Sequence, residues 1–116
     1  MPDIRSSLNI GRTVTLDASG GGTISLGPES APGTSAWHIT GVIVQTNRPG
    51  VSPIPRVQLY RDTATPENSI GLTHDGSFAQ AVADEYFPNG SKIVCVWSGG
   101  QAGDRASITL NGERLA

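Results

Sequence analysis

The residues whose type and setting raise the question of chemistry are the one cysteine, Cys95, the two histidines, His38 and His74, and, among the ten carboxylates, Asp62, Asp75, Asp84, Glu85 and Asp104. A nucleophilic thiol needs a histidine, a cation or a helix N-terminus to lower its pKa. Cys95 stands inside the run IVCVWS, which offers none of these, so it reads as core. His74 adjoins Asp75 in the stretch HDGS, where Asp-Gly suits a tight turn, and His38 lies mid-strand. Two histidines without a cysteine pair give no metal-ligand spacing, and no elbow motif places a serine beside either. Asp84 and Glu85 are neighbours, so on a strand they face opposite ways and cannot act as a catalytic pair. Asp62, Asp75 and Asp104 sit in loops, but no Asp-x-Asp pattern suggests calcium.

The glycine cluster SGGQAGDR follows a strand, as a phosphate loop does. It lacks both the G-x-x-x-x-G-K-S/T and the G-x-G-x-x-G patterns, and an alternating strand follows it where a helix would be needed. It reads as a hairpin turn made by Gly99, Gly100 and Gly103, with Cys95 and Trp97 pointing into the core. No catalytic residue, cofactor or metal is expected, and a hydrolase is the least favoured reading. Of the four large polar-tipped aromatics, Trp37 and Trp97 alternate in register with aliphatic residues and belong to the core. Tyr60 and Tyr86 are freer to meet a partner or stack on a sugar ring.

The elements that would carry these residues are strands, because apolar residues recur at period two. RTVTLD puts Val14 and Leu16 on one face, GTISL puts Ile24 and Leu26 on one face, and DASGGG between them predicts a first hairpin. AWHITGVIVQT places Trp37, Ile39 and Ile43 on one face and His38, Thr40, Val42 and Val44 on the other, with Gly41 predicting a bulge or bend. The prolines of NRPGVSPIP forbid a helix or central strand and make a loop long enough to cross between two sheets. RVQLYR turns Val57 and Leu59 inward and Arg56, Gln58 and Tyr60 outward; IGLT is a short strand. FAQAVADEYF also suits a helix, through Phe78, Val82 and Phe87, although a strand is expected. RASITL closes the chain with Ala106, Ile108 and Leu110 together. About eight short strands in one all-β domain predict a β-sandwich of jelly-roll or Greek-key connection. Residues 1–12 are expected as an N-terminal arm and 13–116 as the sandwich.

Composition agrees. The chain has 116 residues, enough for one core, and 15 glycines and 8 prolines to punctuate short elements. Its formal charge is −2, with seven arginines and one lysine dispersed, so nucleic acid is not an expected partner. The longest apolar run, GVIV, falls far short of the roughly 20 residues that cross a bilayer, and the N-terminus lacks the apolar centre of a signal peptide. No membrane partner is expected. A lone cysteine excludes an internal disulfide and fits a chain made in a cytoplasm.

In order along the chain, AWHITGVIVQT, a strand ending in Leu59, Tyr60 and Arg61, HDGSF, and the closing KIVCVWSGGQAGDRASITLNG resemble a group of small virion proteins of tailed bacteriophages infecting high-GC bacteria. The resemblance spans residues 36–112. The group usually carries DGTYTGN where this chain has DGSFAQA at 75–81. It implies a head-decoration or minor tail protein, resident in the virion after assembly in the host cytoplasm. The foremost expectation is a trimeric capsid decoration protein bridging major capsid subunits. The polar N-terminal stretch, with Arg5 and Arg12, would lie across a neighbour, and a minor tail component or a module binding host carbohydrate is the alternative.

Overall fold

The computed structural model describes residues 5–28, 36–70, 75–88 and 90–115. They form seven strands: β1 (Arg5–Thr15), β2 (Gly22–Leu26), β3 (Ala36–Thr46), β4 (Arg56–Arg61), β5 (Phe78–Phe87), β6 (Ile93–Ser98) and β7 (Arg105–Leu115), with one 3₁₀ turn at Pro66–Asn68. β1-β7-β3-β5 make one antiparallel sheet and β2-β6-β4 the other, packed as a β-sandwich. Successive strands alternate between the sheets, and the two orders are those of a jelly roll. Ser69 and Asp75 bridge to Tyr60 and Arg56 along the free side of β4. The expected IGLT strand falls between those bridges, and residues 71–74, including His74, lie outside the described residues.

The period-two pattern fills the space between the sheets. Ala106, Ile108 and Leu110 of β7, Val57 and Leu59 of β4, and Cys95 and Trp97 of β6 are all buried there. The buried Trp97 indole still needs an acceptor, and its Nε1 donates to the Gly76 carbonyl at 3.0 Å. FAQAVADEYF is a strand throughout, with Ala79, Ala81, Ala83 and Phe87 turned toward the core and Phe78, Val82 and Tyr86 turned away.

Both expected hairpins are absent. β1 pairs with β7 from Arg5↔Leu115 to Thr15↔Arg105, while β2 pairs with β6 in the other sheet. Residues 16–21 therefore pass from sheet to sheet, and so do residues 99–104, because β6 and β7 also lie in different sheets. The two crossings clasp each other. The Gly100 amide donates to Gly20 O at 2.9 Å, Leu16 N donates to Asp104 O at 2.8 Å, and Gly103 N donates to Leu16 O at 2.9 Å. A Cβ on Gly20, whose φ is +79°, would lie 1.9 Å from Gly100 O. The glycines are needed because two backbones touch there.

Two further expectations change. The register of β3 shifts between Ile39 and Gly41 against both neighbours. The bulge at Gly41 reverses the faces beyond it, so Val42 and Val44 are buried and Ile43 is turned outward. Beside the shift β7 comes close to β3: a Cβ on Gly112 would fall 1.9 Å from His38 O. At the N-terminus, residues 5–12, expected as an arm, are the first part of β1 and pair with β7; residues 1–4 lie outside the described residues.

Candidate functional site

Among the described residues, the cysteine and the turn aspartates are engaged structurally. Cys95 is fully buried at the middle of β6, and burial pushes its thiol pKa far up, away from the thiolate a nucleophile needs. Asp75 Oδ1 accepts from the Ser77 hydroxyl at 2.8 Å and the Ser77 amide at 2.9 Å, the first of which does most to hold its carboxyl below the usual range. Asp17 repeats the device, accepting from the Ser19 hydroxyl at 2.7 Å and from the amides of Ser19 and Gly21. Its carboxyl too is held low, chiefly by the Ser19 hydroxyl. Asp62 accepts from the Lys92 amide at 3.0 Å, and Asp104 pairs with Arg48 Nε at 3.0 Å. Asp62, Asp75 and Asp104 thus sit in separate turns, and among the described residues no three His, Cys, Asp or Glu side chains group as metal ligands do.

Three surface features remain. The first is the outward row of β5, where Val82 is 92% exposed, Tyr86 55% and Phe78 48%. A shallow depression of about 270 Å³ lies beside Val82, between Gly41, Ile43, Gln80 and Asn111. The sequence signal for this row is the alternation of alanines at 79, 81 and 83: the small residues mark the inner face, so the large ones must point outward. Read with helical spacing, the same residues would have been taken for core.

The second is a stacked pair at one end of that row. The His38 and Tyr86 rings lie parallel within 1°, with centroids 4.2 Å apart, and His38 Nε2 is 2.7 Å from Asp84 Oδ1. Register explains the stack, since His38 and Tyr86 are direct partners in the β3–β5 ladder. Behind it Arg61 reaches from the end of β4, donating to Glu85 Oε2 at 2.8 Å and Tyr86 O at 2.7 Å with its guanidinium 4.2 Å over the Phe87 ring. Arg61 ties the rims of the two sheets together, and Asp84 and Glu85 face opposite ways as expected. Sequence reading placed Arg61 in the motif but did not foresee this role, because its partners lie more than twenty residues away.

The third is a groove of about 560 Å³ with Arg12, Lys92 and Arg114 on its rim over Ile10, Leu26 and Trp37. The four contact residues anticipated from sequence are thereby dispersed. Tyr86 is on the outer face of the four-stranded sheet, half-buried Tyr60 is on the three-stranded sheet, Arg12 is at the groove, and Arg5 begins β1 opposite Leu115. Tyr60 and Tyr86 make no common platform.

No family model matches the chain, and a search of curated proteins finds no match. Among solved structures it is similar to FlhE, at TM-score 0.41 and 12% identity over 93% of this chain and 96% of that one. It is also similar to a family two carbohydrate esterase from Cellvibrio japonicus, at TM-score 0.33 and 12% identity over 94% of this chain and 36% of that one. A third is a chain of infectious bursal disease virus Gx strain, at TM-score 0.28 and 19% identity over 96% of this chain and 28% of that one. Likenesses of that size carry no conclusion about function.

Proposed function

We propose that this protein is a structural protein of a tailed-bacteriophage virion, acting as a capsid decoration protein that bridges neighbouring major capsid subunits, with a minor tail position as the variant of the same role. The observation that carries this reading is the apolar row Phe78, Val82 and Tyr86 on β5 of the jelly roll. A fully exposed valine flanked by two half-exposed aromatics is surface built to be covered by another protein. The motif resemblance over residues 36–112 supplies the viral setting. A closed trimer would match a multifold position on a shell. The test is to strip the protein from purified particles and compare their resistance to heat and low salt. Stripped particles should be the weaker, and equal resistance would remove the cementing role.

A second reading, a module for host surface carbohydrate, is favoured by the His38–Tyr86 stack with the exposed Asp84 carboxylate beside it. Here Tyr86→Ala should abolish retention on host cell-wall preparations, and failure of the unaltered protein to bind any preparation would eliminate this reading.

A further inference from the structure

Arg12 breaks the pattern of β1. It has the parity of Leu8 and Leu16, each 2% exposed, yet it is itself exposed. Beside it the half-buried Ile10 likewise has inner parity. Both residues line the groove with Leu26 of β2, so among the described residues the sandwich is open where β1, an edge of one sheet, passes β2, an edge of the other. Lys92 and Arg114, both exposed, complete a rim of three positive charges. No carboxylate among the described residues lines the groove, although the chain as a whole carries formal charge −2.

We propose that this groove binds an acidic peptide segment in extended conformation. Its carboxylates would face Arg12, Lys92 and Arg114, and an aliphatic side chain would rest on the half-buried Ile10. Charge complementarity selects the class of ligand, and arginine is suited to paired bonds with a carboxylate. The apolar base selects peptide over an acidic sugar. Trp37 is only 6% exposed, so it offers no free ring face on which a sugar could stack. Among the described residues β1 pairs within its sheet only with β7, and no described strand pairs with its other edge, which can take an added strand beside the basic rim. The inference goes beyond the virion reading and stands without it, because the groove's chemistry is the same whatever carries the segment.

The test uses the full chain and a labelled, end-blocked peptide of alternating aspartate and valine, titrated by fluorescence anisotropy at low salt. Controls are the same peptide with asparagine for aspartate, an alginate oligosaccharide, and inorganic phosphate. The expected result is an aspartate-peptide Kd below about 1 mM, weakened roughly tenfold by Arg12→Glu or Arg114→Glu and falling off in salt as exposed charge pairs do. Arg105→Glu, exposed and away from the groove, should leave binding unchanged. Equal binding of the asparagine peptide, binding of alginate without the peptide, or unaltered affinity in both groove variants would each overturn the proposal. So would the absence of binding at millimolar peptide.

Discussion

Substituting alanine at Gly20 and, separately, at Gly99 distinguishes two touching sheet crossings from two independent turns. Both glycines have positive φ, +79° and +73°, so either alanine incurs left-handed strain of roughly 1–2 kcal/mol. They differ in what surrounds them. A Cβ at Gly99 meets nothing within 4 Å, whereas at Gly20 it would lie 1.9, 2.6 and 2.8 Å from the carbonyl oxygen, carbonyl carbon and nitrogen of Gly100. Those are backbone atoms that cannot rotate aside, so the crossings must separate. The 2.9 Å bond from Gly100 N to Gly20 O is then lost, at about 1 kcal/mol, together with part of the packing beneath. Gly20→Ala should therefore cost at least about 3 kcal/mol against about 1–2 for Gly99→Ala, a large share of the roughly 5–15 kcal/mol of an ordinary domain. Urea unfolding followed by the emission of the two buried tryptophans, Trp37 and Trp97, gives both numbers. With a slope of about 1–3 kcal/mol/M, the two variants should differ in midpoint by roughly half to one molar. Equal midpoints would refute the clasp and restore the picture of two separate hairpin turns.

Three other outcomes follow from the same geometry. Arg61→Met removes the bonds to Glu85 and Tyr86 O and the charge over Phe87; since Arg61 and Glu85 are about one-third exposed, the expected loss is modest, about 1–3 kcal/mol by thermal unfolding. The carboxyl of Asp75 is held below its ordinary value by Ser77, so its contribution to stability is complete above about pH 4 and is lost as pH falls through the lower folded value. Asp75→Asn should flatten that part of the stability–pH curve, leaving the similar contribution of Asp17, and an unchanged acid limb would contradict it. Cys95 should resist a thiol reagent at pH 8 in the native protein and react at once in denaturant; rapid native labelling would show that β6 is not the buried centre strand.

Burial was more legible in the sequence than pairing. The alternation of RASITL, RVQLYR and IVCVWS states which side chains face the core, and Ala106, Ile108, Leu110, Val57, Leu59, Cys95 and Trp97 are found there. Alternation is silent about which strand lies alongside. Two strands joined by glycines read as a hairpin, yet at 16–21 and at 99–104 the chain changes sheets, and only the contact between the crossings shows why both need glycine. Gly41 signalled a bulge, but a one-residue shift reverses every later side chain, so Ile43 and Val44 exchanged places. Among the surface features, Tyr86 and Arg12 were visible as single residues. The His38–Tyr86 stack, the Arg61 tie and the groove join residues far apart in the chain and emerge only once the register is known.

The proposed role as a coat-bound virion protein can be decided by copy number in purified phage particles, measured by quantitative mass spectrometry beside the major capsid protein. The expected result is hundreds of copies in a fixed ratio to the capsid subunit, with Val82→Asp folding normally and missing from the particle. A handful of copies would move the protein to the tail, and its absence from particles that are otherwise complete would contradict the account.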